Sequence, residues 1–242
     1  MKSNYALTGD PIFYITVGFF ALLTTAMPAG LAQPRFLLIL QTICLTIFLA
    51  MAIRAGHIRH AFNVMIIWLV IQFLAMALLA WLIPSQIERV FTDGYNHRMM
   101  LFSWLQDYNP PPMGLTSQPL SVIGELLGVV VGSVISGGLI GIYFLERAVN
   151  LAGYNMGSLL LADHSTELIA ALWPWLWLRL AGYGGLVILL AEPLLTSNWS
   201  PLFYKNQRGR LLLIATGLVI IGLTLELVLP SLWQSLFGLA ID

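Results

Sequence analysis

The chain has 242 residues, 59% of them hydrophobic and 9% charged, with a mean hydropathy of +0.86. Soluble domains are about 45–50% apolar and about 25% charged, so a water-soluble globule is excluded. Eleven basic residues balance eleven acidic ones, which leaves no basic stripe for a nucleic-acid surface.

The apolar residues fall in six blocks, at 11–31, 36–53, 61–83, 120–145, 167–191 and 211–230. Each is close to the roughly 20 residues that an α-helix needs to cross about 30 Å of hydrocarbon. Lipid tolerates only internally closed backbone hydrogen bonding, so the predicted fold is all-α, a polytopic membrane helical bundle. It reads as one integral membrane domain over 1–242, with a three-span unit at 1–83, an extracytoplasmic segment at 84–119 and a helical unit at 120–242. The first block follows a weakly basic stretch with Lys2 and Asp10, and its apolar run exceeds that of a typical signal peptide. It is therefore expected as a retained span. Cys44, the single cysteine, lies inside the second block and allows neither an intrachain disulfide nor a thiolate metal site. Trp81, Trp173, Trp199 and Trp233 stand near block ends, where amphipathic rings favour the interface.

Residues 85–108 mix charges with apolar anchors at Ile87, Val90, Phe91, Met99, Phe102 and Leu105. That pattern predicts a helix, or a pair of helices, lying in the membrane interface. Asn109-Pro110-Pro111-Pro112 ends the segment as a stiff loop, because three prolines fix three φ angles. In the fourth block Gly124, Gly128, Gly132 and Ser136 recur every four residues and form a small-residue face for close helix packing. A hinge or a substrate groove is the other reading of that face. Residues 148–162 form too short a run for a comfortable span and carry Asn150, Gly153, Asn155 and Gly157.

Charge decides how that short run is read. Arg54 and Arg59, with His57 and His60, make one basic loop; Lys205, Arg208 and Arg210 make the other. The bias of Lys and Arg toward cytoplasmic loops puts both on the same side, which requires an even number of crossings between them. Residues 148–162 then supply an additional short crossing, broken at Gly153 or Gly157. The expected topology in the cell membrane has a cytoplasmic N-terminus and an extracytoplasmic C-terminus. A topology in which one apolar block is not a full crossing satisfies the same rule.

Catalytic signatures are missing: the chain has no GxxxxGK[ST], no HExxH and no GxSxG. No enzyme activity and no cofactor are expected. His57 and His60 are three apart but lack a third ligand, so no metal is expected either. Arg179 falls at the centre of its apolar block, where an arginine costs about 2.5–3.5 kcal/mol on insertion scales. It should face protein and find a carboxylate, with Glu226 the preferred partner and Glu125 the other candidate. Such a pair is either a structural ion pair or a coupled ion or substrate site. Glu146-Arg147 and Asp163-His164 read as solvated helix ends.

Five features occur in order over residues 80–235. They are LLAWLIPSQIERVF, the glycine-rich GELLGVVVGSVISGGLIGIYFLE, GYNMGSLL, ELIAALWPWLWLRLAGYGGLVILL and, after a basic loop, LTLELVLPSLW. This series resembles the membrane region of the stage II sporulation protein M family. Pro174 stands at the place of that family's proline-led motif, and Glu226 and Pro230 resemble its closing glutamate and proline. The chain departs from the family at Trp175-Leu176-Trp177-Leu178-Arg179, where histidine and glycine usually follow the proline, and at Asn155-Met156-Gly157, where asparagine and glycine are adjacent. The Glu226–Pro230 spacing is one residue short, and residues 1–80 have no counterpart. The resemblance implies a non-enzymatic membrane scaffold that holds envelope partners.

Two classes of function follow from the residues. One is a scaffold or complex subunit that binds other membrane or envelope proteins, or further copies of itself, within the lipid bilayer. The other is a transporter or permease subunit working with a separate ATPase or other energising partner, for which Arg179, Glu226 and the segment 148–162 are the motive. A redox subunit ranks below both, since the four histidines stand at block ends or in loops.

Overall fold

Five helices of the computed structural model begin at a proline: Pro11, Pro84, Pro119, Pro174 and Pro230. In the first turn the missing N–H has no helical partner to lose, and the fixed φ already suits a helix. The structure describes residues 7–56, 58–107, 111–112, 114–162, 168, 172–199 and 207–237. Its helices are α1 (Pro11–Leu31), α2 (Phe36–Arg54), α3 (Ile58–Leu82), α4 (Pro84–Val90) and α5 (Asp93–Asp107), then α6 (Pro119–Ser136), α7 (Leu139–Leu161), α8 (Pro174–Thr196), α9 (Gln207–Val228) and α10 (Pro230–Phe237). Among the described residues there is no strand. The fold is an all-α polytopic bundle.

Six of these helices, α1, α2, α3, α6, α8 and α9, are long and apolar enough to cross a membrane. Their outer faces agree with that. Ile39, Ile43 and Ile47 on α2, and Ile66, Val70, Leu74 and Leu78 on α3, form exposed stripes at every fourth residue. Water would oppose such continuous apolar faces, whereas lipid is the solvent they match.

The seventh long helix, α7, has 23 residues and so runs about 34 Å. It is too polar for hydropathy to detect, because Glu146, Arg147, Asn150 and Asn155 lie along it. Yet it is the hub of the bundle, packed on α2, α3, α5, α6 and α8, and Glu146 and Asn150 are 0% exposed. Two expectations are corrected here. The fourth apolar block is not one span, since it stops at Ser136 and turns through Gly137 and Gly138 at φ 63° and 97°. Only glycine takes two successive left-handed positions at little cost. Residues 148–162 are in turn not a short or broken helix but mostly the second half of α7. Gly153 and Gly157 do not break it; they let α7 approach α3, against the Phe73 and Ala77 carbonyls respectively. Four long helices (α3, α6, α7 and α8) therefore lie between the two basic turns in the chain. Their ends meet, with Arg54 Nε donating to the Leu195 carbonyl at 3.3 Å.

The small-residue face of α6 is used within the chain. The helix widens into a π turn at Gly128–Gly132, with Gly128 beneath the ring of Phe144 and Gly132 beneath Ile140 of α7. Ser136 Oγ accepts from the Ile140 N–H at 3.0 Å and so stitches the turn. Gly124, at the other end of the face, has open space where a Cβ would stand.

Residues 85–107 lie in a pair of helices, one face of which packs on the bundle while the other is exposed. α4 packs along α1 and α3, and α5 packs along α7. Phe91 and Gly94 at the turn lie against Tyr154, and Asp93 reaches Arg147. The first arm of the hairpin, α4, is seven residues or about 10 Å long. The buried anchors of the hairpin are Ile87, Val90, Phe91, Leu101, Trp104 and Leu105, whereas Met99 is 53% exposed. At the top of the hairpin Trp104 meets Trp173 edge-on, Trp173 stacks on Trp175, and Trp175 meets Trp233. Trp173 is thus a core residue, 1% exposed, and not an interface ring.

Candidate functional site

Consecutive residues of α7 are turned about 100° from each other, and Glu146 and Arg147 enter different polar centres. Glu146 faces α2 and α3. Its carboxylate accepts from the Thr42 hydroxyl at 2.8 Å, and the indole of Trp68 faces the same group. One turn on, Asn150 joins three helices. Its amide donates to Gln41 Oε1 at 2.8 Å and its oxygen accepts from Gln72 Nε2 at 2.9 Å. Gln72 also donates to the Glu146 carbonyl at 3.1 Å, and Gln41 donates to the Thr25 hydroxyl at 2.8 Å. Thr25, Gln41, Thr42, Gln72, Glu146 and Asn150 are all buried. The network ties α1, α2, α3 and α7 together. Two of its acceptors, Glu146 Oε1 and Gln72 Oε1, are buried and have no hydrogen-bond partner. None of the groups that donate to Glu146 is charged.

Arg147 faces the angle between the α4–α5 hairpin and α6. Its guanidinium binds Asp93 Oδ2 at 2.7 Å and Glu125 Oε1 at 3.4 Å. A neighbouring ladder runs from Arg98 to Glu88 at 2.6 Å, and Glu88 accepts from the Tyr154 hydroxyl at 2.8 Å. Beside Arg147 lies a cavity of about 150 Å³ bordered by Asp93, Asn96, His97, Gln118 and Arg147. His97 is 4% exposed and its Nε2 has no hydrogen-bond partner. Burial, followed by the positive charge of Arg147, pushes the His97 imidazole down to about 3, so it is neutral near pH 7. A cavity with a neutral imidazole, two amides and an ion pair at its edge suits a small polar molecule.

The predicted pair forms: Arg179 donates to Glu226 Oε2 at 2.6 Å, and both side chains are 1% exposed. Its position differs from the expectation. α8 starts at Pro174, so Arg179 lies in its second turn and not at the centre of a span. The other Glu226 oxygen accepts from the Leu115 N–H at 2.6 Å. The pair therefore fastens the segment before α6 onto α8 and α9. Glu125 is not the direct partner of Arg179; it binds Arg147, with Arg179 and Glu226 within electrostatic range.

Glu146-Arg147 is corrected most. These residues lie mid-helix in the bundle, and Glu146 is 0% exposed. Asn150 belongs to the network, whereas Asn155 is buried with neither side-chain atom bonded. His60 meets the Tyr14 hydroxyl at 2.5 Å, and among the described residues no cluster of histidine, cysteine and carboxylate has the makings of a metal site. His57, Asp163, His164, Lys205 and the start of the proline loop lie outside the described residues. The signal that would have exposed the Glu146 network was the spacing Glu146–Asn150 on one helical face, four apart, set against Gln41, Thr42 and Gln72 inside otherwise apolar blocks. No protein-family model, curated protein or solved structure matches this chain, so a functional reading has to rest on these two centres.

Proposed function

We propose that the protein is a membrane transport protein in which Glu146 takes up and releases a proton or a small monovalent cation. The observation that carries this reading is a fully buried carboxyl group whose hydrogen bonds come from neutral groups alone. An ionised carboxylate in such surroundings costs several kcal/mol unless something neutralises it, on the order of the desolvation penalty of a buried ion. A proton does so directly. A small hard cation does so with the neutral oxygens nearby, including the unbonded Gln72 Oε1. Ionisable groups inside a helical bundle mark ion and proton paths for this reason. Arg147 is the next residue on the same rigid helix, so a small polar solute in the hairpin cavity and a charge at Glu146 act on one element.

Infrared difference spectra of the protein in proteoliposomes test it, recorded across pH and with or without sodium. The wild type is expected to show a buried carboxylic-acid band or a sodium-dependent carboxylate shift that Glu146→Gln removes and Glu125→Gln keeps. A wild-type spectrum unchanged by pH and by sodium would refute the reading.

A second reading has one observation in its favour. Gly124 leaves a notch on the outer face of α6, flanked by the exposed Leu120, Ile123 and Leu127, where a helix of another protein or a second copy would fit. This is the scaffold role that the likeness to the stage II sporulation protein M family implies. The partner that purifies with the protein in mild detergent separates the two. An envelope protein in stoichiometric amount favours the scaffold, and an ATPase favours transport.

A further inference from the structure

At the end of the bundle that carries the basic turns, α3 and α9 begin side by side. Their first turns supply Arg59 and His60 from α3, and Gln207 and Arg208 from α9. These four, with Asn63, line a cavity of about 510 Å³ that has no acidic residue in its lining among the described residues. Arg208 is held in place by Glu192, which it grips through Nε and Nη2 at 3.0 and 2.6 Å. That ion pair orients Arg208 at the rim, while Arg59 stands exposed. Two helix N-termini add their positive dipole ends at the same place.

Two further hollows adjoin this cavity at Asn63. One, of about 350 Å³, runs between α3 and α9 past Phe62 and Leu211. The other, of about 360 Å³, runs between α1 and α3 past Tyr14, Ile66 and Ile67. Asn63 borders all three spaces. A basic cavity at the membrane boundary, with two apolar troughs descending from it into the span region, has the shape of a two-chain amphiphile.

We infer that this is a binding site for an anionic phospholipid. Its phosphate lies between Arg59 and Arg208, its ester region lies at Asn63, and one acyl chain follows each hollow. Charge complementarity selects the headgroup, and burial of the chains along Phe62, Leu211, Ile66 and Ile67 supplies the rest of the affinity. The inference does not depend on how Glu146 is used.

The test uses the full chain, stripped of lipid in detergent, with thermal unfolding and native mass spectrometry as readouts. The probes are phosphatidylglycerol, phosphatidylcholine with the same chains, and inorganic phosphate. Phosphatidylglycerol is expected to raise Tm and to stay bound, phosphatidylcholine to do so weakly, and phosphate alone not at all. Arg59→Gln, an exposed change that leaves the Arg208–Glu192 pair intact, should weaken phosphatidylglycerol binding about five-fold, the effect of one basic residue near an anionic lipid surface. Arg59→Lys should recover most of it, and Arg35→Gln, at the opposite end of α2, should leave it unchanged. Equal binding of the two lipids would overturn the inference, as would an unaffected Arg59→Gln variant. Full stabilisation by phosphate alone would make this a site for a free anion and would overturn it too.

Discussion

Replacing Arg179 by methionine strands a carboxylate in the bundle. Glu226 is 1% exposed and keeps only its bond from the Leu115 N–H once the guanidinium at 2.6 Å is gone. Breaking a buried pair from one side costs about 3–5 kcal/mol, because the remaining charge loses its partner without regaining water. Glu226→Gln takes away the carboxylate that Arg179 binds at 2.6 Å, keeps the bond from Leu115, and is expected to cost a similar amount. Additive costs would therefore give the double variant about 6–10 kcal/mol. The double variant has no stranded charge, however, and retains the Leu115 bond, so its expected cost is about 1–2 kcal/mol, near that of one ordinary hydrogen bond. Unfolding titrations in mixed micelles of the four proteins close the cycle. A double variant as unstable as the sum of the singles, or an Arg179→Met variant without cost, would refute the buried-pair reasoning. Cellular function supplies a second reading. If the double variant recovers folding and function, the pair is a structural fastener; if folding alone returns, the pair belongs to a working site.

Gly128→Leu and Gly132→Leu should each destabilise the bundle by at least about 1–3 kcal/mol, because the added side chains meet Phe144 and Ile140 across the α6–α7 contact. Val130→Leu, at a 37% exposed position, should stay within about 0.5 kcal/mol, and equal thermal stability of all three would dismiss the contact. His97 makes stability fall in acid. With a folded value of about 3 against an ordinary 6.5, the unfolded chain takes up the proton first. Stability is thus complete above pH 6.5 and declines toward pH 3 by about 1.4 kcal/mol per unit, and Tm against pH should flatten in His97→Gln. In a Cys44→Ser background, cysteines at Ala55 and Thr196 should both resist an impermeant maleimide added outside, while Gln33→Cys reacts. Labelling of the first two from opposite sides would remove α7 as a crossing.

Composition and block length were enough to read the fold class. An apolar run of about 20 residues has one stable form in lipid, and that holds whatever its neighbours are. Local chemistry likewise placed a helix start at Pro84, and the charge rule called for one more helix between the two basic loops, where α7 stands. The break was misplaced at Gly153 or Gly157, because hydropathy runs smoothly through Gly137-Gly138 while the backbone there turns left-handed. Arg179 and Glu226 could be paired from sequence because two lone opposite charges among apolar blocks have few other partners. Glu146 could not be found in that way. Its hydrogen-bond donor Thr42 on α2 and its neighbour Trp68 on α3 are roughly 100 and 80 residues away and uncharged, so no charge or motif marks them. The packing partners of the α4–α5 hairpin were equally hidden, since an amphipathic pattern is the same whether its apolar face meets lipid or another helix. Periodicity states which side of a helix avoids water. Only the packing of α7 against five neighbours decides what that side meets, and with it where a buried charge sits.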